Sequence, residues 1–251
     1  MNETGTLEDK ATLGNLRHNL ELQLFLRRYE KALEGKLPFE ETLWISFTKI
    51  IIFINVSWRM FIKRTLDLIL SAVGLIASLP LMAAIAIAIK LESKGPVLYK
   101  QIRVGMRAKT FAMLKFRTMR EDAEAMTGPV WAAEDDPRIT RVGAVLRKAH
   151  LDELPQLFNV LLGEMSMVGP RPERPYFVHE FRKEIHHYDR RLCVKPGITG
   201  LAQIKRGYDQ TLADVRKKLR YDLLYVQKVC PLLDLKLMAL TFGAVVSRTG
   251  R

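Results

Sequence analysis

Cysteine is nearly absent, with Cys193 and Cys230 the only two in a chain of 251 residues. Without CxxC spacing they give no disulfide framework, and free thiols in a reducing compartment are expected. Histidine is sparse too, five in all, and His150, His186 and His187 form no zinc pattern with the cysteines. Acidic residues are in deficit: 27 Asp and Glu against 40 Lys and Arg, a formal charge of +13. An excess of that size points to an anionic partner: nucleic acid, an acidic membrane surface or a phosphorylated substrate. The first forty residues are polar and mixed in charge, so no cleavable signal peptide is expected there. Internal repeats and long low-complexity linkers are also missing. A chain of this length can bury one good core, or one core and an accessory segment.

What is present centres on residues 147–172, RKAHLDELPQLFNVLLGEMSMVGPRP. Leu154, Leu157, Phe158, Leu161 and Leu162 recur as one apolar face of a short helix. Pro155 suits its first turn and Gly163 its end. Asp152 and Glu153 then fall at the helix start, where acids are ordinarily a cap and a dipole partner. Three features raise this pair above that role. Arg147 and Arg171 bracket the acids, and a helix start offers free N–H groups to an anion. Arg171, between Pro170 and Pro172, is also a stiffly mounted guanidinium able to grip phosphate through two bonds. The combination suits a phosphate ester with a divalent metal.

Along the chain, residues 1–10 read as disordered. Leu13–Leu33 reads as a helix, solvent-facing and accessory in preference to a contact with a second copy in a homo-oligomer. Residues 43–62, bracketed by Trp44 and Trp58 and broken by Lys49, Asn55 and Arg59, read as an interfacial helix. Leu68–Ile89 carries no charge and is long enough to cross a bilayer of about 30 Å. Pro80 interrupts it, Ser78 can bond the freed backbone, and both flanks are basic. The expectation is a re-entrant membrane helix bent at Pro80, with a kinked crossing as the alternative. A short β-hairpin turns around Gly105, and its basic residues, among them Lys115, suit a solvated face or anionic membrane lipids. Helices are expected over Glu121–Ala133, Val142–Lys148, 173–192, 211–228 and Pro231–Val246, the last lying along the bilayer, with a Gly/Pro-punctuated loop at 195–207.

The strings KRTLDLIL, GPVLYKQIRVG, KFRTM, DPRITRVGAVLRK, LDELPQLFNVLLGEMSMVGPRP, KPGITGLAQ and YDLLYVQK occur in that order between about Lys63 and Arg248. Together they resemble the bacterial sugar transferases, the monotopic phosphoglycosyl transferases that make polyprenyl-diphospho-sugars. The resemblance implies a mainly α fold with a small β-hairpin. It further implies three regions: accessory helices over 1–62, the re-entrant helix over 63–92, and a membrane-docked cytoplasmic catalytic domain over 93–251. The implied reaction moves sugar 1-phosphate from a UDP-sugar to undecaprenyl phosphate at the bacterial inner membrane, with Mg²⁺, releasing UMP. It would open the assembly of an exopolysaccharide, capsule, O-antigen or glycoprotein glycan, with no nucleic acid involved.

By position, Asp152 is the implied nucleophile, Glu153 helps to hold Mg²⁺, and Arg147 and Arg171 contact phosphate. Arg206 is the best match to a further phosphate-binding arginine, because IKRG follows AQ where many members have a stretch ending in Gly-Arg. Asp222 and Asp234 match acidic positions that are structural or support the site. Leu79 stands before Pro80 where the family often has Ser, which leaves the bend but weakens a role for Ser78. The competing readings are a basic membrane-attached binding protein and a structural subunit with a dead site. The charge favours the first, and the intact acidic pair speaks against both.

Overall fold

The computed structural model describes residues 39–120, 136–205 and 211–246. The expected helices at Leu13–Leu33 and Glu121–Ala133 and the residue Arg206 lie outside them. The chain divides into two compact units, Met1–Arg59 and Met60–Arg251. Everything below concerns the second unit.

The longest element is α1, Phe39–Glu92, with Pro80 inside it. Its stretch Val56–Glu92 is long and apolar enough to cross a membrane. Its buried stripe runs Lys63, Asp67, Ser71, Leu75, Ile85 and Ile89. The polar half of that stripe is wired to the unit's core. Lys63 Nζ donates to Val168 O at 3.0 Å and to Asp234 Oδ2 at 2.7 Å. Asp67 Oδ1 accepts from Ser166 Oγ and the Met167 N–H. The apolar half packs with Phe116 and Leu146. At the far end Glu92 accepts from the Val142 N–H, and Arg117 donates to Ser93 O. The outward faces carry Phe61, Ile69, Val73, Ile76, Ile87 and Leu91, all exposed. Polar inside and apolar outside reverses the pattern of a water-soluble surface helix. Ser78 Oγ bonds Leu75 O, one residue short of the Ile76 carbonyl that Pro80 deprives of its helical partner.

Strands β1 (Leu98–Val104) and β2 (Thr110–Phe116) form the expected antiparallel hairpin, Leu98 opposite Phe116 and Val104 opposite Thr110. Phe111, Met113 and Phe116 of β2 point inward. Helix α2 (Arg141–Lys148) is N-capped by Thr140, whose side chain accepts from the Gly143 N–H. Gly143 passes so close to Thr118 O that a β-carbon could not fit.

Helix α3 (Gln156–Leu162) ends at Gly163, at φ 84°. Its stripe is not the predicted one. Gln156, Leu157, Asn159 and Val160 are buried, while Phe158 and Leu162 face out. Asn159 explains the turn of the helix. Its Oδ1 accepts from the Leu114 N–H at 3.0 Å and its Nδ2 donates to Ala112 O at 2.9 Å, filling the free edge of β2 as a neighbouring strand would.

A second sheet went unpredicted. β3 (Ser166–Val168) pairs in parallel with β4 (Gly197–Thr199), so the expected loop at 195–207 holds a strand and then α5 (Leu201–Lys205). The helix expected over 173–192 is two pieces, α4 (Pro175–Glu184) and a 3-10 segment Tyr188–Cys193. His187 separates them in the left-handed region at φ 62°. Helices α6 (Leu212–Lys228) and α7 (Pro231–Val246) fall where expected. The unit is mainly helical with the predicted hairpin and this small added sheet.

Candidate active site

Asp152 and Glu153 lie in a 3-10 turn, Leu151–Glu153, entered through left-handed His150, rather than on α3 itself. Pro155 has no N–H to give, so the tighter i→i−3 bonds Leu154 N–H to Leu151 O and Leu157 N–H to Leu154 O carry the chain into α3. Three residues per turn set the neighbouring acids about 120° apart rather than the 100° of an α-helix. They meet different surroundings.

Glu153 is clamped. Arg171 reaches it through two nitrogens, Nη2 to Oε1 at 2.6 Å and Nη1 to Oε2 at 3.4 Å. Lys115 Nζ adds a third bond to Oε1 at 2.8 Å. Burial alone would raise the Glu153 pKa, but Arg171 and Lys115 outweigh it and hold the carboxyl far below the usual carboxylate range. Asp152 is 7% exposed and its nearest cation, Lys115, stands 3.7 Å from Oδ2. Here burial wins and pushes the pKa up, against the pull of Lys115. Two adjacent acids with pKa values driven apart mark a division of labour.

Lys115 is the residue that sequence reasoning undervalued, counting it only among the hairpin's basic side chains. The string KFRTM was its one signal. The Asn159 clamp on β2 fixes the strand that carries Lys115, so the two are linked structurally. Arg171, by contrast, sits where the sequence placed it. Its carbonyl accepts from Arg191 Nη2 at 2.8 Å, and Arg191 is paired with Asp222 at 2.8 Å and donates to the Tyr188 hydroxyl. Asp222 holds the Arg191 guanidinium protonated against burial. Asp222 therefore supports the site through two residues.

The other expected residues are further from the acids. Arg147 uses Nε on Thr118 Oγ1 at 3.0 Å and reaches Asp152 only as a weak charge. Asp234 bonds Lys63 and the Tyr225 hydroxyl, at 2.7 and 2.8 Å, and serves the root of α1. Pro80 is exposed on α1.

Among the described residues no three His, Cys, Asp or Glu side chains converge. A metal here would take at most two carboxylates from the protein, Asp152 and Glu153. That suits Mg²⁺, which usually binds one or two carboxylates and completes its shell with phosphate and water. The underserved charge of buried Asp152 is what a cation would relieve.

Residues 58–248 match the family described as bacterial sugar transferase. The chain is 43% identical over 190 residues to the UDP-N-acetylgalactosamine-undecaprenyl-phosphate N-acetylgalactosaminephosphotransferase of Aeromonas hydrophila, covering 76% of this chain and 45% of that one. Over 188 residues it is 44% identical to the UDP-glucose:undecaprenyl-phosphate glucose-1-phosphate transferase of Xanthomonas campestris pv. campestris, covering 74% and 39%. The exopolysaccharide production protein PSS of Rhizobium leguminosarum bv. phaseoli is 40% identical over 195 residues, covering 76% and 96%. The chain thus spans under half the length of the first two relatives and nearly the whole of the third. With the match running from ahead of Lys63 past Asp234, the chain belongs to the bacterial sugar transferase family.

Proposed function

We propose that this chain transfers sugar 1-phosphate from a UDP-sugar to undecaprenyl phosphate through a covalent adduct on Asp152. The observation that carries the reading is the opposed state of the two acids. Glu153 is locked as an anion by Arg171 and Lys115, whereas Asp152 is desolvated and has Lys115 only at 3.7 Å. A desolvated carboxylate is the more reactive nucleophile. The activities for which the Aeromonas and Xanthomonas relatives are named supply the substrate classes.

In the first step an Asp152 oxygen bonds to the sugar-bearing phosphorus and the bond from that phosphorus to the UMP oxygen breaks. UMP leaves with the electron pair. In the second, an undecaprenyl phosphate oxygen bonds to the same phosphorus and Asp152 is released as carboxylate. Lys115 and Arg171 stand where charge on the transferring phosphoryl oxygens would be balanced. Asp152 and Glu153 would hold Mg²⁺, which when bound supplies further neutralisation of those oxygens. Arg147 is assigned to phosphate more distant from the reacting atom, and Arg206 to a further phosphate contact on its sequence position alone.

The membrane reading draws on α1. Its outward residues are apolar and its inward ones partly charged. Lys63 and Glu92, at the two ends of its segment 63–92, bond to the same compact unit. A helix whose ends faced opposite sides of a bilayer would not have both ends on one body. This favours a re-entrant segment with the site on the cytoplasmic face of the inner membrane. Exposed Phe158 and Leu162 of α3 and Leu232 and Phe242 of α7 add apolar surface that suits the same bilayer. Anionic lipids would meet the basic flanks.

UMP release, screened over UDP-glucose, UDP-galactose, UDP-GalNAc and UDP-GlcNAc with undecaprenyl phosphate, tests the reaction. Turnover with at least one donor, stopped by EDTA, is expected. Absence of release from every UDP-sugar would remove the reading.

A further inference from the structure

Arg171 also lines a cleft whose walls include neither Asp152 nor Glu153. Most of its lining is polar or charged, Glu173, Lys218 and Asp222 included, and Ala202, Val215 and Leu219 are its apolar side chains. Two buried polar atoms there lack any hydrogen-bond partner among the described residues: Arg191 Nε and Gln203 Oε1. Both side chains are otherwise fixed. Arg191 is 7% exposed and its Nη1 and Nη2 are engaged by Tyr188, Asp222 and the Arg171 carbonyl. Gln203 donates from Nε2 to Ile198 O at 2.8 Å, which leaves its oxygen as the unused end. Buried polar groups are nearly always paired in folded proteins, so a lone donor and a lone acceptor in one cleft ask for a ligand.

We infer that this cleft is the nucleoside subsite of the donor, with Gln203 Oε1 accepting the uracil N3–H and Arg191 Nε donating to an adjacent uracil carbonyl oxygen. The inference rests on the UDP-sugar reading, because any nucleobase edge offers a donor beside an acceptor. A base has two apolar faces and one polar edge, which suits three apolar side chains and two polar atoms. The position also fits. Arg171 bonds Glu153 and lines the cleft, so a nucleoside held there begins beside the arginine assigned to the diphosphate.

Two experiments on the full chain in detergent test this. First, wild-type protein is irradiated with 5-iodo-UMP and the modified peptides are mapped. Attachment within residues 188–204 or 211–222 is expected, and attachment only elsewhere, such as the β1–β2 hairpin, overturns the inference. Second, UMP affinity is measured by equilibrium dialysis for wild type and Gln203→Met, with melting curves to establish folding. One lost hydrogen bond to a ligand predicts roughly tenfold weaker binding. Unchanged affinity in a folded Gln203→Met protein, while wild type still releases UMP from a UDP-sugar, removes the subsite alone. Wild type that neither binds UMP nor releases it removes the donor reading and the subsite together.

Discussion

Two buried charge networks grip opposite ends of one short stretch, Val168 to Arg171. At Val168, Lys63 donates to the carbonyl and to Asp234, and the Tyr225 hydroxyl, 2.9 Å from the same carbonyl, gives its one proton to Asp234. At Arg171, Arg191 holds the carbonyl, Asp222 holds Arg191, and the Arg171 guanidinium clamps Glu153. Both networks are ionic and both join distant parts of the chain. They differ in closure. The first has every polar end satisfied and ties α1 to β3 and α7. The second stops short, since Asp152 meets Lys115 only at 3.7 Å while that amine bonds Glu153, and Arg191 and Gln203 keep unused atoms beside a cleft. A closed network is a fastening, and an open one next to space is where substrate completes the bonding. The same residue types therefore carry different expectations at Asp234 and at Asp152.

The contrast breaks most sharply at the nucleophile. Asp152→Asn should lower UMP release by at least on the order of 10³-fold while leaving the melting temperature unchanged or raised, since burial disfavours the charge it removes. Full activity in that variant would make the open network no more reactive than the closed one. Lys63→Met should do the reverse. It leaves Asp234 buried without its cation and should cost roughly 3–5 kcal/mol of stability, read as a lower melting temperature, while turnover per folded molecule persists. Adding Asp234→Leu should recover much of that loss. A smaller effect is expected for Arg171→Lys, which keeps the charge but loses the two-pronged grip. It should reduce turnover roughly 10- to 100-fold in an assay at saturating donor.

The smallest effect is in pH. Asp152 must be ionised to attack, and its pKa is raised above the ordinary 3.8. Activity should therefore fall on acidification at a higher pH than an unperturbed aspartate would give. Glu153 has the opposite sign. Its stabilisation is complete above the ordinary 4.5 and is lost only as pH falls through its depressed folded value. Acid should thus stop the reaction before it unfolds the unit. Added Mg²⁺ should move the activity limb to lower pH by favouring the Asp152 carboxylate. Coincident loss of activity and of fold would erase the distinction between the two acids.

The sequence made much of this legible where one residue type suffices to set the structure. Gly163 closes α3, Gly105 marks the hairpin, and α6 and α7 fall where expected. It was silent where long-range contacts decide. β3 and β4 are three residues each, too short for alternation, and pair only because residues 166–168 and 197–199 meet in space. No glycine or proline warned of the break at His187. The α3 stripe was misread because its helix docks through Asn159, a polar side chain replacing a strand, so Phe158 and Leu162 turn outward. At the site, Asp152, Glu153 and Arg171 stood out by spacing. Lys115 did not, because only folding carries β2 across to residue 153.

The most direct measurement is peptide mass spectrometry of full-length protein mixed with a UDP-sugar donor in the absence of undecaprenyl phosphate and quenched rapidly. The account predicts a sugar-phosphate mass on the peptide containing Asp152, formed along with one UMP and lost when acceptor is added. Sustained turnover with no adduct at Asp152 under any quench would contradict it.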